Sequence, residues 1–145
     1  MFTNILCPVD FSEDSERALA AALALARSTG GHVTIVTVVD SLLSAGAAAA
    51  GADEALDDQT QQELRSLLER AAPGLPAPST AAVAVRVGNP SKEILAQAEE
   101  SNSDIIVIGM HGVGAAHKLI LGSTSEQVLH KSTVPVLVVP PPLRH

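Results

Sequence analysis

The sequence predicts a single α/β domain over residues 1–145, built on a doubly wound, open parallel sheet of five strands in the order 3-2-1-4-5. Three observations predict it. Short β-branched runs alternate with longer stretches whose apolar residues recur at spacings of three and four, giving βαβαβαβαβ. The run Ile105 to Ile108 is apolar without a break, as in a strand covered on both faces. Right-handed crossovers between such strands then place the reversal of strand order between strands one and four, and ligands bind at that point of an open sheet.

Asn4 to Val9 is the first strand, closed by Asp10; Ser12 is placed to cap the helix that follows, with acids in its first turn. Ala18, Leu19, Ala22, Leu23 and Ala26 form the apolar stripe of that helix, and Gly30-Gly31 ends it. His32 to Val39 is strand two, followed by Asp40, a strand-end turn residue. Ser44 to Ala52 is too poor in large side chains to anchor itself and reads as a loop or a frayed helix start. A helix with Leu56, Leu64, Leu67, Leu68 and Ala71 on one side runs to Pro73-Gly74, and Pro73, Pro76 and Pro78 make a stiff connector. Thr80 to Val87 is strand three, and Asn89 caps a helix with Pro90 at its first position. Strand four carries the loop with Gly109, Gly112 and Gly114; a helix from about Ser123 to Lys131 and a final strand, Val134 to Val139, follow. That last strand is an apolar sheet edge, which predicts a two-fold homodimer through it.

Composition excludes several functions. With 17% charged residues and a net charge of −7, the chain lacks the basic surface that unaided binding to nucleic acid or an anionic membrane requires. Its aromatics are Phe2 and Phe11 alone, so no base-stacking platform can be assembled. No apolar run approaches the ~20 residues that span a bilayer, and the first residues lack the features of an export signal, so a cytoplasmic protein is expected. The single Cys7 excludes an internal disulfide and reads as a small buried hydrophobe.

Glycines at a sheet's carboxyl edge let backbone N–H groups approach an anion, and the next helix adds unpaired donors and a favourable dipole. The spacing here is Gly109-x2-Gly112, nine residues, then Gly122-Ser123. It resembles the nucleotide-binding signature of the universal stress protein family, G-x2-G-x9-G-[S/T]. NILCPVDFSEDSERAL, VTIVTVVD, VGNPSKEIL and GSTSEQVLHKSTVPVLVV extend the likeness over essentially the whole chain. The resemblance implies a Rossmann-like, adenine nucleotide alpha hydrolase-like sheet and the ATP-binding branch of the family, with ATP, ADP or AMP as ligand, accompanied by Mg2+. Asp10 and Val38 would meet the adenosine end, while Gly109, Gly112, Gly122, Ser123 and Thr124 would hold the ribose and phosphates. An acceptor such as Asp10 suits nucleoside donors and would repel phosphates, which supports that orientation independently.

Other readings stand beside these. Ser123-Thr124-Ser125-Glu126 also fits a capping box with Ser123 as N-cap. His111 is expected to orient the loop, and His117 and Lys118 either aid the phosphates or face water; no metal set is visible. The leading function is a dimeric regulatory module of the stress response, binding ATP and an unidentified regulatory protein partner. A slow ATPase or self-phosphorylating protein is the enzymatic alternative, although no G-x4-G-K-[S/T] loop and no well-placed general base are evident. The third is a non-binding interaction module.

Overall fold

Every predicted strand forms. The computed structural model describes residues 2–39, 53–71, 81–111 and 122–142. In chain order these hold β1 (Asn4–Pro8), α1 (Glu13–Thr29), β2 (His32–Val39), α2 (Asp53–Ala71), β3 (Ala81–Val87), α3 (Pro90–Glu100), β4 (Ile105–Gly109), α4 (Ser123–Lys131) and β5 (Val136–Val139). The sheet is wholly parallel in the order β3-β2-β1-β4-β5, as the sequence predicts. Asp40, the Ser44 to Ala52 segment, the proline connector with Thr80, and Gly112 to Lys118 lie outside the described residues.

Period-two alternation divides the strands between two cores. Ile5, Cys7, Val33, Ile35, Ile105 and Val107 face α1 and α2 and pack on Leu19, Leu23, Leu64 and Leu67. Leu6, Val36, Ile106 and Ile108 face the other way, against Ile94 and Ala98 of α3 and Val128 of α4. Each fully buried Leu, Ile or Val contributes about 1.5–3 kcal/mol. Cys7 is fully buried and its thiol is pushed up by desolvation, so it packs as a small hydrophobe.

Local chemistry sets the element ends. The Ser12 side chain accepts from Ser15 N at the start of α1, and Gly30, at φ 69, closes that helix in the left-handed conformation. Asn89 caps α3 with Pro90 in its first turn. Arg86 of β3 reaches Glu93 at 3.0 Å and Glu100 at 2.9 Å, tying an edge strand to α3. No helix among the described residues is long and apolar enough to cross a membrane.

One proline shapes the middle of the sheet. Val9 N–H donates to Val36 O at 2.8 Å, so Val9 bonds toward β2 and alternation turns Pro8 toward β4. Pro8 has no N–H to give. The β1–β4 ladder registers only Ile5 with Ile105 and Leu6 with Ile106, whereas β4 continues beside β5 to Gly109. The registered β1–β4 pairing therefore stops before the carboxyl ends of the strands, at the point of strand-order reversal, where open sheets carry their ligand crevice.

Candidate functional site

Two helix starts flank that crevice, and they differ electrically. α1 begins with Glu13, Asp14 and Glu16, and its first-turn donors face the Ser12 cap and a cluster of carboxylates. This is a poor seat for an anion. α4 begins after Gly122, its N-cap, and carries no side-chain cap. The capping box with Ser123 as N-cap is thus not what forms. Gly122 takes the extended conformation, φ −65 and ψ 156, which makes Ser123 the first helical residue and Glu126 a donor to Gly122 O at 2.8 Å. Among the described residues no acceptor outside α4 meets the amides of Ser123, Thr124 and Ser125. Three N–H groups and the positive end of the helix dipole are therefore open at this edge.

The remaining sequence-predicted residues fall around the same crevice with distinct duties. Gly122 N–H donates to Met110 O at 2.7 Å; its amide is engaged, and its contribution is to end the loop and aim α4. Gly109 closes β4, and its carbonyl accepts from the buried Ser125 hydroxyl at 2.8 Å. A Cβ on Gly109 would lie 2.9 Å from Asp14 C and O, so glycine is required there for α1 to sit against β4. Ser123 is exposed and Thr124 half-buried. Gly112 lies outside the described residues.

Asp10, exposed just beyond β1, accepts from Ser12 N at 3.1 Å and from the Ser12 hydroxyl. This turn sets Phe11 at φ 64, an uncommon conformation for a bulky residue, costing roughly 1–2 kcal/mol. Phe11 remains 36% exposed at this edge. Val38, one residue from the end of β2, is half-buried against the α3-side core. The carboxylate and the valine thus stand on the β1–β2 side of the crevice, and α4 stands on the β4 side.

Two residues escaped sequence reasoning. Asp14 Oδ2 accepts from both the backbone N and the ring Nδ1 of His111, each at 3.1 Å, while Asp14 Oδ1 pairs with Arg17. The partner of His111 lies 97 residues away and no local pattern announces it, while the loop that His111 is expected to orient lies outside the described residues. Among the described residues no group of three His, Cys, Asp or Glu side chains converges as a metal site.

The universal stress protein family model matches residues 1–140. The chain belongs to the universal stress protein family. Universal stress protein MJ0577 of Methanocaldococcus jannaschii is 30% identical over 154 residues, covering 96% of this chain and 95% of its own. Universal stress protein YxiE of Bacillus subtilis is 30% identical over 147 residues, covering 96% and 99%. The solved structure of MJ0577 aligns with a TM-score of 0.77 over 99% of both chains. A universal stress protein of Archaeoglobus fulgidus, solved in complex with dAMP, shares the fold at 22% identity, with a TM-score of 0.63 over 95% of this chain and 97% of its own. This universal stress protein thus shares its fold with these solved relatives, and its own sequence carries the full glycine spacing.

Proposed function

We propose that this universal stress protein is a regulatory module that binds an adenine nucleotide, ATP with ADP or AMP as variants, in the crevice between β1 and β4. The observation that carries the proposal is the start of α4: three uncapped amides at the carboxyl edge of the sheet, beside the point of strand-order reversal. Phosphates would lie on Ser123, Thr124 and Ser125 N–H, with the Ser123 hydroxyl and Gly112 beside them. Adenosine would lie toward Asp10 and Val38, because the acids of α1 and Asp10 repel the opposite orientation. An adenine nucleotide is also what the A. fulgidus relative carries. Mg2+ would enter on the phosphates, since no metal-holding group gathers among the described residues. Occupancy at millimolar ATP needs a Kd of only ~1 mM, about −4 kcal/mol.

The test is direct. The chain has neither Trp nor Tyr, so its own near-ultraviolet absorbance is almost nil and a resident adenine dominates the spectrum. Purified protein is expected to release nucleotide into an acid supernatant, and added Mg-ATP to raise the melting temperature. A nucleotide-free supernatant together with an unmoved melting temperature would leave the non-binding module as the answer.

We place the module in the cytoplasm, where Cys7 stays reduced, and assemble it as a homodimer through β5, presented to a regulatory protein partner. Val136 and Val138 turn into the α3-side core, whereas Leu137 is 43% exposed and Leu129 of α4 45%. An isologous pairing along this edge would cover both leucines. Leu137→Lys is expected to give folded monomers by light scattering; a dimer mass retained by that variant counts against this interface.

A further inference from the structure

Three donors converge on the carboxylate of Asp14. Its Oδ2 accepts the backbone N–H of His111 and faces the ring Nδ1, each at 3.1 Å, while its Oδ1 pairs with Arg17. A carboxylate can only accept, so Nδ1 carries the ring hydrogen. The group is largely withdrawn from water, the side chains of Asp14 and His111 being 14% and 9% exposed. In so little water each of these bonds is stronger than it would be at the surface. The close seat of α1 on β4 makes the contact possible, since Gly109 has no side chain to hold Asp14 away.

What this carboxylate holds is the segment Met110–His111, directly after β4. Met110 donates its N–H to Val139 O at 3.2 Å, and its carbonyl receives the Gly122 N–H at 2.7 Å. One residue earlier, Gly109 O accepts the Ser125 hydroxyl at 2.8 Å. The segment is thus bound to the start of α4. On the other side, α1 is bound to the turn at Asp10: Asp10 N donates to Ser15 Oγ at 3.3 Å, Ser12 N to Asp10 Oδ1 at 3.1 Å and Ser15 N to Ser12 Oγ at 3.2 Å. A path of covalent and hydrogen bonds therefore runs from Asp10 to α4, and it passes through the Asp14 carboxylate.

We propose that Asp14 is a positioning residue of the nucleotide site and sets its preference for a triphosphate over a monophosphate. The proposal rests on the reading above, with adenosine toward Asp10 and phosphates on the start of α4. A ligand held at both ends binds well only when the ends are in register, and displacement of a donor by more than about 0.5 Å forfeits much of its bond. Asp14 touches no ligand; it acts through Met110–His111 on the distance between the two ends. A monophosphate draws less of its binding from α4 and depends less on that distance. Only a carboxylate suits the place, because Asp14→Asn sets an NH2 group against either the His111 N–H or Arg17, both of them donors.

The experiment titrates the full chain with Mg-ATP and with AMP, wild type beside Asp14→Asn and His111→Ala. Wild type is expected to bind Mg-ATP at least about tenfold more tightly than AMP. Asp14→Asn should weaken Mg-ATP about tenfold and AMP less than about twofold, so that the preference collapses. A purely structural contact would instead lower the melting temperature and weaken both nucleotides alike. His111→Ala, which removes the ring but keeps the backbone bond to Asp14, should show the same split at about threefold, and it decides the matter if melting curves show Asp14→Asn unfolded. Equal affinity of wild type for the two nucleotides overturns the role of Asp14 and leaves the binding function standing, as do folded variants that keep the preference or weaken both ligands equally. Failure of wild type to bind either nucleotide overturns both.

Discussion

Ser123→Pro is expected to weaken nucleotide binding about 10- to 100-fold while leaving the melting temperature where it is. Proline suits the first position of a helix, where no intrahelical bond uses its nitrogen. The residue before it must be extended, and Gly122 already is, at φ −65 and ψ 156. The substitution therefore deletes one N–H at the phosphate end of the crevice and disturbs little else. A hydrogen bond to a charged group contributes about 1.5–3 kcal/mol, which sets the expected range. Ser123→Ala, which keeps the amide and loses the hydroxyl, should cost less; titration of both variants with Mg-ATP separates backbone from side chain. Equal affinity of Ser123→Pro and wild type would mean that the phosphates are not on this helix.

The largest expected loss of stability belongs to Gly109→Val. A Cβ at this position would already sit 2.9 Å from Asp14 C and O and 3.1 Å from its Cβ, and the backbone of α1 has no rotamer by which to give way. Forcing bulk into such contact costs about 3 kcal/mol, roughly 10 °C in melting temperature for a chain of this size. The damage should also reach the site, because lifting α1 off β4 pulls Asp14 away from His111. Denaturant unfolding checks it: the midpoint should fall with the slope unchanged. A midpoint equal to that of wild type would show that α1 and β4 tolerate greater separation than their packing indicates.

The fold was legible because each element announces itself locally. The β-branched run His32 to Val39, the cap at Ser12 and the Asn89-Pro90 pair each fit one conformation, and the right-handed crossover rule orders the strands without further information. The site was legible in part. Glycine spacing located the α4 start, but Gly122 and Ser123 fit the N-cap equally well, and the choice fell to the extended backbone of Gly122 and to its bond with Met110. Nor could spacing reveal that the need for glycine at position 109 is the nearness of α1. The Asp14–His111 pair was invisible for a different reason: an acid in a first helical turn is commonplace, and only the path of the chain brings it to a histidine 97 residues on.

The early end of the β1–β4 ladder also bears on kinetics. Because the missing rung follows from an imino acid in the covalent chain, the ladder ends at Leu6 and Ile106 before any ligand arrives, and no β1–β4 backbone bond has to break there on entry. A nucleotide is a polyanion, and its encounter with a chain of net charge −7 is slowed by mutual repulsion. Added salt, which screens that repulsion, should hasten association.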